Sequence, residues 1–271
     1  MAAASIPPIL QQCTRKIVVF GGAGYVGSAI CRAAVQNGME VVSITRSGVA
    51  GGSMPWASKV KWVAADALDP HSYEEHLEGC SSVVHTVGIL LEKTGFKKLL
   101  LGRTSGVSTR DNIGVTYEHA NRDSALQVAR AAARKGIASF IYISATGAPP
   151  GIDKRYISTK REAESALLAH MEFRPIIFRP GFIYSEEYPK TLALALPLLA
   201  TDSVSRTVPP LAKYLHGFLR SQELSVSEPV ALHTLADAVI QAIRSPDCSG
   251  IFDPAAIHRL SNEAFSTSMC V

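Results

Sequence analysis

Short apolar runs alternate with amphipathic segments along most of the chain. Six runs rich in β-branched and aromatic residues have the length of strands: residues 16–20, 40–44, 60–65, 81–87, 139–144 and 175–180. Their apolar character is continuous rather than alternating, which is typical of strands buried on both faces of a sheet. The pattern therefore predicts an α/β fold with a doubly wound parallel sheet.

Between and after these runs, apolar residues recur at three- and four-residue spacing, as they do on one face of a helix. Helices are predicted at residues 25–37, 115–135, 155–171 and 230–245. Asn37-Gly38 supplies a C-terminal stop for the first of them. A further short helix is expected to begin at Asp69-Pro70, because aspartate caps a helix and proline fits its first turn.

The alternation of strands and helices fails beyond residue 185, and this divides the chain. Residues 16–185 are predicted to form the sheet domain, and residues 186–271 a small C-terminal lobe packed on it. Residues 1–15 are expected to be a flexible lead. Residues 90–114 are a basic insertion after the fourth strand, and we predict a mobile loop there.

Composition narrows the classes of function. Of 271 residues, 47% are hydrophobic, which is enough for a buried core. The net charge of +4 comes from scattered Lys and Arg, which argues against a nucleic-acid-binding surface. The five cysteines form no CxxC pair, so we expect reduced thiols and neither a disulfide framework nor a metal site. The most apolar run, residues 191–200, is half as long as the ~20 residues that a transmembrane helix needs.

Gly21, Gly24 and Gly27 stand at three-residue intervals where the first strand becomes the first helix, in the stretch KIVVFGGAGYVGSAI. At such a junction, backbone N–H groups and the positive end of the helix dipole can hold a diphosphate. Gly21 would permit the turn, Gly24 would let phosphate approach the backbone, and Gly27 would let the helix pack closely on the strand. We therefore expect a dinucleotide at Gly21, Gly24, Tyr25, Val26 and Gly27. The alternative is a purely structural turn.

The end of the second strand indicates which dinucleotide the site takes. Sites specific for NAD(H) usually carry Asp or Glu there, which binds the ribose 2′-hydroxyl. This chain reads SITRSG and has no acid; Arg46 offers a planar cation suited to a 2′-phosphate, with hydrogen bonds from Ser43 and Ser47. NADP(H) is therefore the predicted cofactor in preference to NAD(H). The alternative is a solvent-facing arginine in a loop.

A tyrosine and a lysine lie one helical turn apart in the stretch YISTK. Tyr156 and Lys160 would share one helix face, about 6 Å apart along the axis. An ammonium near a phenol favours the phenolate, so we expect Lys160 to lower the pKa of Tyr156 toward the range of a general acid or base. Lys160 would also bind the nicotinamide ribose. Both residues are therefore predicted to be catalytic and cofactor-binding.

Four stretches, in the same order, resemble the extended and atypical short-chain dehydrogenase/reductase superfamily: GGAGYVG at 21–27, AADALDP around Asp66, VVHTVG at 83–88 and RPGFIYS at 179–185. The resemblance covers roughly residues 16–185 and includes the position of the Tyr–Lys pair. It implies a Rossmann fold. It also implies cofactor contacts from Asp66, near the adenine, and from Val87, Gly88 and Pro180.

The resemblance further implies a Ser or Thr at the end of the fifth strand that binds the reacting carbonyl. Ser144 and Thr146 are both candidates, since a shift of register exchanges them. Ile143 and Ala145 replace part of the serine-rich triplet of the epimerases. The alternative to turnover is that the Tyr–Lys pair only holds the nicotinamide ribose.

Three more residues have roles implied by the resemblance. Asn121 would brace the backbone of the site, which suits a buried amide that needs partners. His85 would pack beside the cofactor rather than act as a catalyst. Arg179 would either form an ion pair in the core or contact a substrate.

Within the superfamily, residues 16–48 and 141–164 resemble a mitochondrial branch. The branch includes a fungal accessory protein of coenzyme Q biosynthesis and, more distantly, an accessory subunit of respiratory complex I. The resemblance implies a peripheral protein on the matrix side of the mitochondrial inner membrane, with a quinone-biosynthesis or respiratory assembly as partner. Residues 189–220, rich in leucine and basic residues, would suit anionic lipid or would form the core of the C-terminal lobe.

Three functions are consistent with these features. The first is a reductase or isomerase of a quinone-type or other apolar carbonyl. The second is an NADP(H)-loaded structural or regulatory subunit without turnover. The third is a sugar-nucleotide epimerase or dehydratase, against which the short C-terminal lobe and the cationic end of the second strand argue.

Overall fold

The structure is a computed structural model and describes residues 15–52, 54–90, 115–148, 152–169, 172–191 and 228–268. The strands of these ranges are β1 Lys16–Phe20, β2 Glu40–Thr45, β3 Val60–Ala64, β4 Ser82–His85, β5 Ser139–Ile143, β6 Arg174–Phe178, β7 Ile183–Tyr184, β8 Val230–Ala231 and β9 Gly250–Phe252. Seven of them form one sheet in the order β3-β2-β1-β4-β5-β6-β9, and every pair in it is parallel. The other two, β7 and β8, pair in parallel with each other.

Helices cover both faces of the sheet. The α-helices are α1 Tyr25–Gln36, α2 Ser124–Arg134, α3 Arg155–Ala169, α4 Leu232–Arg244 and α5 Pro254–Ser268. Short 3₁₀ turns span Pro55–Lys59, Pro70–Ser72 and Glu74–Leu77, and a π-helical turn spans Glu118–Asp123. The helix predicted to begin at Asp69-Pro70 is the second 3₁₀ turn, and the Asp69 carboxylate caps it by accepting the His71 amide.

Successive side chains of a strand point to opposite faces, and β1 shows how this builds two cores. Ile17 and Val19 belong to a cluster formed with α1, α4 and α5. Val18 and Phe20 belong to the other cluster, formed with α2 and α3. Because both faces are covered, all four residues are fully buried. The doubly wound parallel sheet predicted from the continuous apolar runs is therefore confirmed.

The six predicted strands are present, with ends displaced by at most two residues. The prediction of one regular α-helix over 115–135 is wrong at its start, because Glu118–Asp123 is π-helical. In this wider turn the carbonyl of Asn121 accepts the hydroxyl of Tyr142 at 2.6 Å. Sequence spacing cannot show such a bond, because Tyr142 comes from β5.

The predicted helix at 230–245 is confirmed as α4, but the alternation of strands and helices continues after it. β9 and α5 follow, and neither was predicted. β9 pairs with β6 at the edge of the main sheet, and α4 packs on α1. The described part of the C-terminal segment therefore lies on the sheet domain, while its boundary at residue 185 stays a prediction.

Several predicted segments lie wholly or largely outside the described residues. They are the lead at 1–15, the basic insertion at 90–114 and the leucine-rich stretch at 189–220. Within the described ranges, no helix combines the length and the apolar character that a membrane crossing requires.

The strand order reverses between β1 and β4, which are neighbours in the sheet. Connections that leave two such strands run to opposite faces, and a crevice opens at their carboxyl ends. The residues after β1 and β4 are Gly21 and Thr86, and both belong to motifs that the sequence analysis singled out. The fold thus places those motifs at the position where α/β sheets bind ligands.

Candidate functional site

The predicted site residues after the strands lie at the carboxyl ends of the strands, because each follows a parallel strand or lies in the helix after it. Five elements contribute: the turn before α1, the ends of β2, β3 and β4, and the corner between β5, β6 and α3. Ser43, predicted to bond a 2′-phosphate, is instead fully buried within β2.

The glycine turn after β1 is pressed against the end of β4. Gly21 has φ +87°, and a Cβ there would lie 2.7 Å from Thr86 Oγ1. A Cβ at Gly27 would lie 2.3 Å from the Gly21 carbonyl oxygen and 2.8 Å from Thr86 Oγ1. Thr86 itself is fixed, since its hydroxyl donates to the Phe20 carbonyl at 2.7 Å. Gly21 and Gly27 are therefore required by close packing.

Gly24 differs from these two glycines. It is exposed, its φ is −79°, and a Cβ there would meet only the Gly21 carbonyl oxygen, at 3.1 Å. The first hydrogen bond of α1 runs from the Ser28 amide to the Gly24 carbonyl, so the three amides before Ser28 have no partner within the helix. No side chain caps this turn and no acid lies in it. The turn is thus an open cradle with the positive end of the helix facing it.

The side chains of Tyr25 and Val26 point away from this cradle and pack on the core beside α1. The ring of Tyr25 makes an edge contact with Tyr188 at 5.2 Å between centroids. Burial raises the pKa of Tyr25 to about 12. Both residues would therefore contact a diphosphate through their backbone amides only.

The ends of β2 and β3 lie farther along the crevice. Arg46 and Ser47 are exposed directly after β2, and the amide of Gly48 donates to the Thr45 carbonyl and hydroxyl. Asp66 follows β3 and is exposed; its carboxylate accepts the Leu68 amide at 2.9 Å. The roles predicted for these residues, at the 2′-phosphate and near the adenine of a dinucleotide, stay predictions.

The end of β4 is clamped by a buried amide. Asn121 Oδ1 accepts the Ile89 amide at 2.9 Å, and its Nδ2 donates to the Ile89 carbonyl at 3.3 Å. A Cβ at Gly88 would lie 2.9 Å from Asn121 Oδ1, so the glycine is needed for this approach. Val87 is partly buried against the core. The expected bracing role of Asn121 is confirmed.

His85 is a core residue. It is fully buried, it stacks with Phe20 and Phe140, and its Nε2 lies 3.1 Å from Ser124 Oγ. The Ser124 hydroxyl donates to the Ala120 carbonyl, so His85 Nε2 is the donor to Ser124. Burial lowers the pKa of His85 to about 3, and the imidazole stays neutral. His85 thus packs in the core, as expected, while its place beside a bound cofactor stays a prediction.

Tyr156 and Lys160 lie on α3 one turn apart, as predicted. Lys160 is buried and its Nζ donates to the Ile143 carbonyl at 3.0 Å. The ammonium also lies over the rings of Tyr142 and Tyr156, at 5.2 and 5.7 Å from their centroids. The ammonium of Lys160 therefore contacts Tyr156 through the face of its ring. Among the described hydrogen bonds, none joins the two side chains.

The pKa values of this pair correct one expectation. Burial raises the pKa of Tyr156 to about 12, the nearby Tyr117 raises it further, and Arg161 lowers it. Lys160 was expected to lower this pKa and does not, because its ammonium faces the ring and bonds to a carbonyl. Burial also lowers the pKa of Lys160 to about 8, although the charge of Glu164 raises it.

Neither hydroxyl at the end of β5 contacts Tyr156. The Ser144 hydroxyl is buried and accepts from Arg161 Nη1 at 3.4 Å. The Thr146 hydroxyl donates to the carbonyl of Pro180, at 3.4 Å, and the Thr146 amide donates to the same oxygen at 3.0 Å. Pro180 is buried and so serves the site through its backbone. The two candidates are thus near the pair but bonded to other partners.

A buried carboxylate lies behind these hydroxyls. Glu164, whose side chain is 1% exposed, accepts from Arg179 with both oxygens and from Arg161. Arg179 is therefore a core ion-pair donor, which was one of its two predicted roles. Arg161 and Glu164 were missed by the sequence analysis. A signal was present for Glu164, because Tyr156, Lys160 and Glu164 recur at four-residue spacing on one helix face.

The residues present fit a bound dinucleotide. Gly24 is exposed and carries no side chain, which gives room for a diphosphate against the uncapped start of α1. Arg46 and Asp66 would hold the adenosine end, and Lys160 the nicotinamide ribose. The bound group would supply hydride chemistry; the chain supplies the cradle and the charges.

Comparisons with known proteins agree with this geometry. Residues 21–208 match the family described as NAD(P)H-binding. The chain is 32% identical over 273 residues to MIOREX complex component 2 of Saccharomyces cerevisiae, covering 87% of this chain and 96% of that protein. It is 32% identical over 248 residues to an uncharacterized chloroplastic protein of Arabidopsis thaliana, covering 88% of this chain and 75% of that protein.

A solved structure shows the same fold. The UDP-glucose 4-epimerase of Thermus thermophilus, in complex with NAD, superposes with a TM-score of 0.57 at 15% identity. The match covers 94% of this chain and 83% of that chain. A match at such a low identity shows a shared fold and carries no information about activity. Sequence, sheet order and glycine cradle therefore agree that this chain belongs to the NAD(P)H-binding family and has the Rossmann-type fold of the short-chain dehydrogenases/reductases.

Proposed function

We propose that this protein is an NADP(H)-loaded component of an organellar protein assembly, in which Tyr156 and Lys160 hold the nicotinamide ribose without turnover. The end of β5 carries the proposal. Of the two hydroxyls that would bind a reacting carbonyl, that of Thr146 donates to the Pro180 carbonyl, and that of Ser144 is buried and accepts from Arg161. The pKa of Tyr156 is raised to about 12, which is unfavourable for a general acid or base near neutral pH.

The choice of NADP(H) over NAD(H) is supported at the end of β2. The segment from Thr45 to Gly48 holds no acid to bind a ribose 2′-hydroxyl, and Arg46 and Ser47 are exposed there. A guanidinium binds phosphate through two parallel hydrogen bonds, whereas it gains less from a neutral hydroxyl. NAD(H) is the less favoured cofactor.

Membership of an assembly is supported by the yeast relative, which is named as a component of the MIOREX complex. A mitochondrial location, peripheral to the matrix side of the inner membrane, is part of the proposal and derives from the resemblance to a mitochondrial branch. The Arabidopsis relative is named chloroplastic, so imaging of a tagged full chain with mitochondrial and plastid markers tests this part.

The test of cofactor loading uses the purified full chain. Mass spectrometry of the released nucleotide should find NADP(H), and calorimetry should show weaker binding of NADH than of NADPH. Gly24→Val should fold normally, because only one atom lies near the added Cβ, and should lose about a hundredfold in NADPH affinity. Gly52→Ala is the matched control, since nothing lies within 4 Å of a Cβ there. NADPH binding by Gly24→Val equal to that of the parent would refute the cradle.

A reductase or isomerase of a quinone-type or other apolar carbonyl is the second candidate, with coenzyme Q biosynthesis as its setting. It is favoured by the Tyr156–Lys160 pair on one face of α3, with the ammonium fixed at the end of β5. NADPH oxidation with short-chain quinones tests it. Tyr156→Phe should abolish turnover, and Tyr73→Phe, a buried tyrosine with one hydrogen bond of 3.4 Å, should not. Absence of turnover in the loaded parent would exclude this candidate for those quinones.

A further inference from the structure

The buried carboxylate of Glu164 joins two guanidinium groups beneath the site. Arg179 Nε lies 3.1 and 3.0 Å from the two carboxylate oxygens, and Arg161 Nη1 bonds to Oε1. The arginine side chains are about a third exposed, at 28% and 32%, whereas that of Glu164 is buried. The carboxylate therefore neutralises one charge of the cluster and separates two cations that would otherwise repel each other.

Arg161 uses its remaining donors on the turn after β5. Its Nη2 donates to the carbonyls of Ala145, at 2.9 Å, and Thr146, at 2.8 Å. Its Nη1 also reaches the Ser144 hydroxyl. The Arg161 side chain thus binds three successive residues after the carboxyl end of β5, and Glu164 in turn holds the Arg161 side chain in place.

The same turn borders the lysine of the site. Lys160 Nζ donates to the Ile143 carbonyl, directly before the residues that Arg161 holds. Lys160 and Glu164 lie one turn apart on the same face of α3, which is buried at both positions. A displacement of the turn would therefore move the acceptor of the ammonium.

We propose that Glu164 is a positioning residue of the dinucleotide site. Through Arg161 it holds the Ser144–Thr146 turn, and with that turn the corner in which the ammonium of Lys160 lies. The inference rests on the proposed function, because the bound dinucleotide gives this corner its role.

Electrostatics in the corner supports the same arrangement. Burial lowers the pKa of Lys160, the charge of Glu164 raises it, and the charge of Arg161 lowers it. The other titratable groups that face this ammonium come from β4, β5 and α3: His85, Tyr142 and Tyr156. Loss of Glu164 should therefore lower the pKa of Lys160, and loss of Arg161 should raise it.

The test measures this titration in the nucleotide-free full chain. With ¹³C-labelled lysine, the Cε resonance of Lys160 is assigned by Lys160→Arg and followed against pH. Glu164→Gln should move its midpoint down by about half a pH unit, and Arg161→Met should move it up by a similar amount. Glu162→Gln, an exposed acid on the same helix that pairs with Arg122, is the matched control and should leave the midpoint unchanged.

NADPH affinity against pH is the second measurement. Affinity should fall as pH rises through the pKa of Lys160, because the anionic nucleotide loses a cation; in Glu164→Gln this fall should begin at lower pH. If Glu164→Gln fails to fold, the titration midpoint of Lys160 in Arg161→Met still tests the proposal, because this variant leaves the Glu164–Arg179 pair intact. Midpoints that stay within error of the parent, or that move in the same direction, would overturn the proposal. A parent that binds no NADPH would refute the proposed function, while the titration would still decide the role of Glu164.

Discussion

The two ends of the dinucleotide crevice are built in different ways. At the proposed diphosphate end, residues 21–27 form the cradle, and backbone atoms set its shape. At the nicotinamide end, charged side chains from α3 meet the turns after β5 and β6 in a buried network. The glycine cradle thus depends on the absence of side chains, whereas the network of α3 depends on their presence.

The two ends are therefore vulnerable in different ways. In the backbone cradle, the cost of a side chain depends on how closely another segment approaches: a Cβ would lie 3.1 Å from the Gly21 carbonyl oxygen at Gly24 and 2.3 Å from it at Gly27. A side-chain network fails when any member leaves a buried partner unpaired. Substitution of single residues at each end measures both effects.

Gly27→Val should have the largest effect. Its Cβ would meet the Gly21 carbonyl oxygen at 2.3 Å, and that oxygen belongs to the backbone and cannot rotate away. We expect a loss of about 3 kcal/mol in the free energy of unfolding, measured by urea denaturation. Gly52→Ala should stay within about 0.5 kcal/mol of the parent. Equal stability of Gly27→Val and the parent would mean that α1 does not pack closely on the glycine turn.

Asn121→Ala tests the side-chain end. It would leave the partly buried amide and carbonyl of Ile89 without their partners, so we expect a loss of about 2 kcal/mol in unfolding free energy. Asn37→Ala is the control, because Asn37 is exposed and donates one hydrogen bond at the end of α1. A loss in Asn121→Ala no greater than that in the control would contradict the clamp at the end of β4.

Arg46→Ala should have the smallest effect and should act on binding alone. NADPH affinity should fall about tenfold, because a charge-assisted contact to the 2′-phosphate is lost, while NADH affinity should not change. Titration calorimetry with both nucleotides measures this. Arg134→Ala is the control. It also removes one positive charge, but at the C-terminal end of α2, at the opposite end of the strands from the crevice, and it should leave both affinities unchanged. Equal losses for the two nucleotides would refute recognition of the 2′-phosphate.

Sequence reasoning succeeded where one short segment contains all that a structure needs. The glycine turn, the six strands and the Tyr156–Lys160 spacing are of this kind. It failed where the partner comes from elsewhere in the chain. In the π-helical turn, the Asn121 carbonyl accepts from Tyr142, 21 residues away. The expected effect of Lys160 on the phenol was wrong because the ammonium bonds to the Ile143 carbonyl.

The sequence by itself determined the alternation of strands and helices, the parallel sheet and the place of the diphosphate cradle. These depend on backbone preferences and on apolar spacing, which act over a few residues. Only the tertiary structure decided that the Ser144 and Thr146 hydroxyls bond to partners other than Tyr156, why Gly27 cannot carry a side chain, and which arginines neutralise the buried carboxylate of Glu164. Those outcomes require Thr86, Glu164 and Arg179 to meet residues far from them in the chain. Packing of the two layers on the sheet brings them together, and short-range spacing cannot encode it.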